Sequence, residues 1–314
     1  MTKTYLPDLT LRLAQGVSQL PEEFRARQTQ YLLAAQKADG GFGGREGPSD
    51  LYYTGFALRS LAILGELYGE VAQKAAQFLM TRMGGQEAIV DFLSLVYGGM
   101  LIDTSAGINI FASSIPTWRD AVAGALEGLR RDDGGYAKGP TGAASSTYHT
   151  FLVMLCLQLI ERQSPHPEKL VSFLRAQQHE EGGFLEIRAG KRAGTNPTAA
   201  AIGALQILDA LDEGTRLDTI DFLLDMVTDE GGLRANTRIP IADLLSTFTG
   251  LLTLQDLKGT GELPLKNVRL FVTSLAREEG GFHAATWDNA HDVEYSFYGL
   301  GCAALLENAG VPWR

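Results

Sequence analysis

The sequence predicts an all-α fold, an α6/α6 toroid in which six outer–inner helix pairs close into a ring. Two observations carry that expectation. A Gly-Gly pair, usually followed by an aromatic residue, recurs at Gly40-Gly41-Phe42, Gly134-Gly135-Tyr136, Gly182-Gly183-Phe184, Gly231-Gly232-Leu233 and Gly280-Gly281-Phe282, with a weaker copy at Gly84-Gly85. The first glycines of these pairs stand 44, 50, 48, 49 and 49 residues apart, so one supersecondary unit is used six times. The stretches between the pairs alternate in character. Amphipathic helices with one polar face alternate with helices that are apolar on nearly every side, and only the second kind must be buried all round. A uniform period without polar capping repeats favours a ring over an open solenoid.

The first full unit shows how each element is specified. Pro21, Glu22 and Glu23 form a helix-start signal, after which Phe24, Tyr31, Leu32 and Ala35 make one apolar stripe of an outer helix. Asp39-Gly40-Gly41 stops it, because glycine takes positive φ without a Cβ clash. Ser49 or Asp50 then caps an inner helix, Leu51 to Leu64. The alternation returns near Glu168 to Gln178 and Pro197 to Leu211, at Arg216 to Thr228 and Ile241 to Leu257, and at Leu265 to Arg277 and His291 to Glu307. The second unit is irregular: Gly84-Gly85 leads straight into Gln86 to Tyr97, and Gly98-Gly99 to Gly107 is expected to break the chain afterwards. A ring deformed or open at that point follows.

The 314 residues, 45% hydrophobic and 20% charged, have the balance of a globular protein with a large core. Six repeats from near residue 20 to near residue 310 leave no room for a second domain, so residues 1–314 are read as one. A net charge of -10 argues against nucleic-acid binding, which needs clustered Lys and Arg. Cys156 and Cys302 stand far apart in apolar segments, which suits core positions in a reducing cytoplasm. The start, MTKTYLPDLTLRLAQG, has no long apolar run of a signal peptide, and no stretch reaches the ~18 apolar residues of a membrane span.

Units with a Gln-rich outer-helix end, a GGF turn and an inner helix ending in a leucine-rich run resemble the prenyltransferase and squalene-cyclase repeat. The stretches Ala34 to Gly44 and Asp50 to Leu67 look especially like the β subunit of protein prenyltransferases, above all the type II geranylgeranyltransferase. The resemblance implies an isoprenoid diphosphate, geranylgeranyl or farnesyl, or a related polyprenyl lipid in a central apolar cavity. Tyr52, Tyr53, Phe56, Tyr148, Phe151, Tyr295, Phe297 and Tyr298 are candidate lining residues, with plain core packing as the alternative for each. Inner-helix N-termini gathered on one rim would favour a diphosphate there.

The same resemblance identifies the chemistry to look for. Such transferases hold zinc with an aspartate and a cysteine two residues apart on one inner helix and a histidine on the next, keeping the substrate thiol as a thiolate. Asp243 matches the aspartate and is the candidate catalytic residue, whereas Leu245 stands at the cysteine position and Tyr295 at the histidine position. The usual zinc site is therefore expected to be degraded; a rearranged one would have to use Asp243, His291, Asp292 and Glu294. The diphosphate-binding candidates are His149, Lys191, Arg192, Arg234 and Arg238, with Gly194 at the family's histidine position and solvated loop charges as the alternative reading of Lys191 and Arg192.

Other functions built on such rings fit less well. A class II terpene cyclase needs a DxDD cluster, and Arg131-Asp132-Asp133-Gly134 reads as a turn. A glycosidase would need paired carboxylates, for which Asp50, Asp243, Asp292 and Glu294 are the only candidates. Neither cysteine has the setting of a thioester motif. A non-catalytic lipid-binding or protein-interaction scaffold is the alternative from another class. Family β subunits work with a helical-repeat α subunit, so such a partner, or self-association, is expected.

Overall fold

The computed structural model describes residues 4–83, 88–139, 141 and 144–313. Among these the fold is all-α, with thirteen α-helices and strand confined to two short hairpins. Six helices are the outer partners: α2 (Glu22–Ala34), α4 (Gly69–Arg82), α6 (Trp118–Glu127), α8 (Pro167–Ala176), α10 (Glu213–Asp225) and α12 (Leu265–Leu275). Six are the inner ones: α3 (Leu51–Leu64), α5 (Ile89–Ala106), α7 (Thr147–Leu159), α9 (Thr195–Ile207), α11 (Leu244–Asp256) and α13 (Val293–Asn308). The alternation read from the sequence is thus present.

Two compact units divide the chain. The middle unit holds Met1–Leu6 and Ile115–Pro264, and the terminal unit holds Pro7–Ser114 and Leu265–Arg314. In the middle unit the inner helices pack in the order α7, α9, α11, backed by α8 and α10. In the terminal unit they pack in the order α13, α3, α5, backed by α12, α2 and α4. The last repeat therefore lies against the first.

Four of the glycine pairs share one physical task. A Cβ at the first glycine would stand 2.2 Å from the Lys74 carbonyl oxygen at Gly40, 2.6 Å from that of Lys169 at Gly134, 2.3 Å from that of Asp218 at Gly182 and 2.5 Å from that of Arg27 at Gly280. A Cβ at the second would strike the ring of Phe78, Phe173, Phe222 or Tyr31, each four residues after the carbonyl just named. The turn therefore docks on the next outer helix, between a backbone carbonyl and the aromatic ring one turn further on. The left-handed φ of the first glycine, +88 to +94 at these four positions, reinforces the requirement.

The third residue closes the loop onto the inner helix. Phe42, Tyr136, Phe184, Leu233 and Phe282 are all fully buried. Phe42 pairs with Asp50, Tyr136 with Ser146, Phe184 with Gly194 and Phe282 with Asp292, each the residue that precedes an inner helix. In four turns that third residue also donates its N–H to an inner-helix threonine: Phe42 to Thr54, Tyr136 to Thr150, Phe184 to Thr198 and Leu233 to Thr247, at 2.8 to 3.0 Å. A buried N–H without such an acceptor is costly. Where the sequence suggested only a turn, two repeats extend it into a hairpin: β1 (Tyr136–Ala137) with β2 (Ser145–Ser146), and β3 (Phe282–Ala285) with β4 (Asp288–Asp292).

Three readings need correction. The expected break at Gly98-Gly99 is absent, because α5 runs through both glycines and ends at Gly107, where φ is +70. They are packing glycines instead: a Cβ would meet Leu58 at Gly98 and Ile110 at Gly99. A further helix, α1 (Tyr5–Val17), precedes the six pairs and buries Leu6, Leu13 and Val17. Finally, α5 does reach the length and apolarity of a membrane span, and it is largely buried against α3 and α4. Gly84-Gly85 and the start of the following stretch lie outside the described residues. Cys156 and Cys302 are buried, unbridged thiols whose ionisation burial opposes.

Substitution at the turns tests this account. Gly182→Ala combines a left-handed residue with a backbone clash, so it should cost about 3 kcal/mol or more. Gly47→Ala, at φ +96 but with nothing within 4 Å of the added Cβ, should cost only the conformational strain, about 1–2 kcal/mol. Equilibrium denaturant unfolding of the two variants compares them directly.

Candidate functional site

Four of the six inner-helix N-termini, those of α3, α7, α11 and α13, are capped by their own side chains. Asp50 accepts the Tyr53 N–H at 2.8 Å, Asp243 that of Ser246 at 2.7 Å, and Asp292 those of Glu294 and Tyr295 at 3.0 and 3.1 Å. Ser146 does the same for His149 at 3.0 Å. Three of these caps are carboxylates, so the partial positive charge expected to attract a diphosphate is already met at α3, α11 and α13.

In the terminal unit the structure gathers most of the predicted aromatic residues. Starting from α3, Tyr52 touches Tyr53 and Phe56 with ring centroids 5.2 and 5.0 Å apart, and Phe56 touches Phe297 and Tyr298 of α13 at 5.7 and 5.3 Å. Tyr298 in turn meets Tyr295 at 6.3 Å. Among these rings sits a carboxyl that sequence reasoning noted only as a neighbour of the metal position. Glu294 accepts hydrogen bonds from the Tyr52 hydroxyl at 2.6 Å and the Tyr298 hydroxyl at 3.1 Å. Burial raises its pKa, the nearby Asp292 charge adds to the rise, and the Tyr52 hydrogen bond opposes it. Asp292 is also raised by burial, against its helix amides and Arg45.

Arg45 neutralises the edge of this cluster. It reaches Asp288 at 3.2 Å and Asp292 at 3.6 Å and lies 5.7 Å from the Tyr295 ring centre. Nearby, the His291 Nδ1 is 2.9 Å from the Tyr31 hydroxyl and 3.2 Å from the Arg277 guanidinium. Arginine can only donate, so Nδ1 is an acceptor and the ring is neutral. Burial lowers the His291 pKa, and Arg277 lowers it further.

The middle unit holds the remaining candidates, in three places. Ser146 Oγ lies 2.8 Å from His149 Nδ1 and hydrogen-bonds the Glu186 carboxylate. Burial raises the pKa of Glu186 and lowers that of His149. Tyr148 is exposed, and Phe151 packs edge-on against Tyr5 of α1 at 5.2 Å. A second place joins the loops before α9 and α11: Gly194 bridges to Asn236, and Arg192 donates to the Thr237 hydroxyl at 3.2 Å. Lys191, Arg192 and Arg238 are exposed on these adjoining loops. Arg234 turns back to the Asp225 carbonyl at 2.9 Å.

Asp243 occupies the third place. Besides capping α11 it accepts the Ser246 hydroxyl at 2.7 Å, and burial raises its pKa. Leu245 offers no donor atom, Asp243 is engaged by α11, and Tyr295 presents a phenol beside Arg45.

With the fold and these clusters described, the affiliation of the chain is plain. The prenyltransferase alpha-alpha toroid domain matches residues 9–185 and 195–311, and the chain belongs to that family. Its fold is the alpha-alpha toroid. Among solved structures it is similar to Candida albicans protein geranylgeranyltransferase-I complexed with GGPP, at 13% identity, 90% coverage of each chain and a TM-score of 0.73. It is also similar to the type II terpene cyclase MstE from Scytonema in complex with geranylgeranyl dihydroxybenzoate, at 14% identity, 97% and 99% coverage and a TM-score of 0.61. A third similar structure is a protein from Actinoplanes, at 16% identity, 92% and 99% coverage and a TM-score of 0.61. No curated protein matches the chain by sequence.

The buried carboxyl gives a sharp test by pH. A raised folded-state pKa means that the folded chain holds the Glu294 proton more tightly than the unfolded one, so this group's contribution to stability falls as pH rises from the ordinary carboxylate range through the raised value. Glu294→Gln keeps an oxygen to accept the Tyr52 hydroxyl and removes that loss. The melting temperature of the variant relative to wild type should therefore climb with pH across this window. A difference that stays flat would show that Glu294 titrates normally.

Proposed function

We propose that this chain binds an isoprenoid with an anionic headgroup and acts as a prenyltransferase-type protein without the zinc–thiolate centre. The observation that carries the reading is the aromatic surface formed by Tyr52, Phe56, Tyr295, Phe297 and Tyr298, assembled from two helices whose contacts span 242 residues of sequence. An unsaturated hydrocarbon chain packs well on such rings, and a few hydroxyl and carboxyl groups orient it. In the middle unit, taken by itself, Lys191, Arg192 and Arg238 are the candidates for contacts to a diphosphate, with His149 as a neutral donor. Asp243 then organises the start of α11 rather than performing chemistry. Family membership supports the reading, as does the geranylgeranyl ligand of each of the two named relatives.

A second reading follows from Glu294 itself. A carboxyl set among aromatic rings, whose ionisation burial opposes, is suited to give its proton to an alkene when it carries one, and the rings would stabilise the resulting carbocation. That chemistry belongs to a cyclase and would need no leaving group.

Incubation with geranylgeranyl diphosphate separates the alternatives. Binding should stabilise the protein by about 2.7 kcal/mol at a hundredfold excess over Kd, read as a rise in melting temperature. Release of diphosphate identifies transfer. A rearranged product that keeps its diphosphate, and that disappears in Glu294→Gln, identifies cyclisation. Stabilisation with neither product leaves a lipid-binding scaffold, and no stabilisation by any isoprenoid refutes the proposal.

Two further outcomes are expected. Replacing Lys191 and Arg192 by Glu should weaken binding of inorganic pyrophosphate about tenfold or more, since these two cations are the candidates for meeting the charged group. A zinc chelator should change neither binding nor turnover, because the donor set of Leu245 and Tyr295 gives zinc no anchorage. The transferase reading also calls for an α-subunit-like partner, which a mass measurement on the protein isolated from its host would reveal. Buried, unbridged Cys156 and Cys302 support a cytoplasmic setting.

A further inference from the structure

Arg59 stands out among the charged residues of the terminal unit. It lies on α3 at the spacing of Tyr52 and Phe56, four and seven residues along one helix face. Its guanidinium stacks on two rings, 5.0 Å from the centre of Phe56 and 5.6 Å from that of Tyr97 on α5. The side chain is half-buried, and its Nε is fully shielded from solvent. Among the described residues it has neither a hydrogen bond nor an ion pair.

That arrangement is anomalous on energetic grounds. The Nε N–H is out of water without an acceptor, and burying a donor that way is costly. Stacking on Phe56 and Tyr97 offsets only part of that cost. Two other arginines of this unit show the usual solution: Arg45 reaches Asp288 and Asp292, and Arg277 reaches the Gly280 carbonyl and His291. Glu294, the carboxyl on the same aromatic surface, is held by Tyr52 and Tyr298 instead and resists ionisation. If packing were the only role of position 59, a methionine would fill it without the charge.

We infer that Arg59 anchors an anion subsite within the aromatic surface, taking the carboxylate or phosphate end of an amphiphile whose isoprenoid part rests on Phe56 and its neighbours. The inference rests on the isoprenoid reading above and locates the charge recognition of this unit two helical turns along α3 from Tyr52. Arginine suits the task because its planar fork pairs with two oxygens at once.

The test compares geranylgeraniol, geranylgeranoic acid and geranylgeranyl monophosphate as probes on wild type, Arg59→Met, Arg59→Gln and Arg59→Lys. Wild type should prefer at least one anionic probe to the alcohol by about tenfold or more, and the preferred one identifies carboxylate or phosphate as the natural headgroup. Arg59→Met and Arg59→Gln should lose the preference while binding the alcohol like wild type, which also certifies their fold; Arg59→Lys should keep part of it. Ligand-free Arg59→Met should melt at or above the wild-type temperature, because an uncompensated charge has been removed. An unchanged preference in Arg59→Met, or none in wild type, overturns the inference, and a lower melting temperature with an unchanged preference marks Arg59 as packing alone. If no isoprenoid probe binds, the functional proposal fails, and inorganic pyrophosphate then tests the subsite by itself. Stabilisation by pyrophosphate that depends on Arg59 supports the subsite, and its absence refutes it.

Discussion

The structure depends on how closely each Gly-Gly turn approaches the outer helix that follows it. The space for a Cβ is missing twice in succession, once against a backbone carbonyl and once against an aromatic ring one turn later. Backbone cannot step aside as a flexible side chain can, so the contact fixes the distance between neighbouring repeats. This explains why the glycine pairs, rather than the helices, keep the most regular spacing. It also explains how the chain finds its end: Gly280 and Gly281 dock on Arg27 and Tyr31 of the first outer helix, where the turns at Gly40, Gly134 and Gly182 use the next one.

The repeat architecture was legible because it is written in local signals. Glycine pairs, an apolar run of one helix length and an aspartate or serine before it each act within a few residues, and the inner helix Leu51–Leu64 was read to the residue. Helix α1 was missed because it stands outside the period and exposes much of its surface, so no repeat announced it. Gly98-Gly99 was misread because a glycine pair that allows helices to approach looks, in sequence, like one that ends a helix. Only the packing against Leu58 and Ile110 tells them apart. The threonines that receive the turn N–H groups carried a usable signal. In three repeats they stand fourteen residues after the third turn position, as Tyr136 and Thr150 show.

The candidate site was legible only in its materials. Eight aromatic residues near inner-helix starts read as one candidate lining, and six of them, Tyr52, Tyr53, Phe56, Tyr295, Phe297 and Tyr298, meet in the terminal unit, but the residue at their centre was not singled out. Glu294 gains its character from Tyr52, far away in sequence, and from burial, neither of which a local pattern contains. Arg59 was invisible for the complementary reason. An arginine inside an apolar helix reads as a solvated outlier until the structure shows that rings flank it and no carboxylate does.

Charge at the inner-helix starts completes the argument. Helix dipoles had suggested an anion-binding rim, yet Asp50, Asp243 and Asp292 each place a carboxylate on the amides that would have bound the anion. Once those amides are satisfied locally, a ligand's negative charge must be met by side chains. Arg45 is already engaged by two aspartates, and Arg234 is turned to a backbone carbonyl. Cations outside any ion pair are the ones with chemistry to offer, among them exposed Lys191, Arg192 and Arg238 in the middle unit and Arg59 in the terminal one. Exposed charges are screened and change partners freely, whereas a guanidinium stacked on two rings with its Nε shielded from water holds one orientation. Of these cations, Arg59 has the fixed geometry that selective recognition of a headgroup requires.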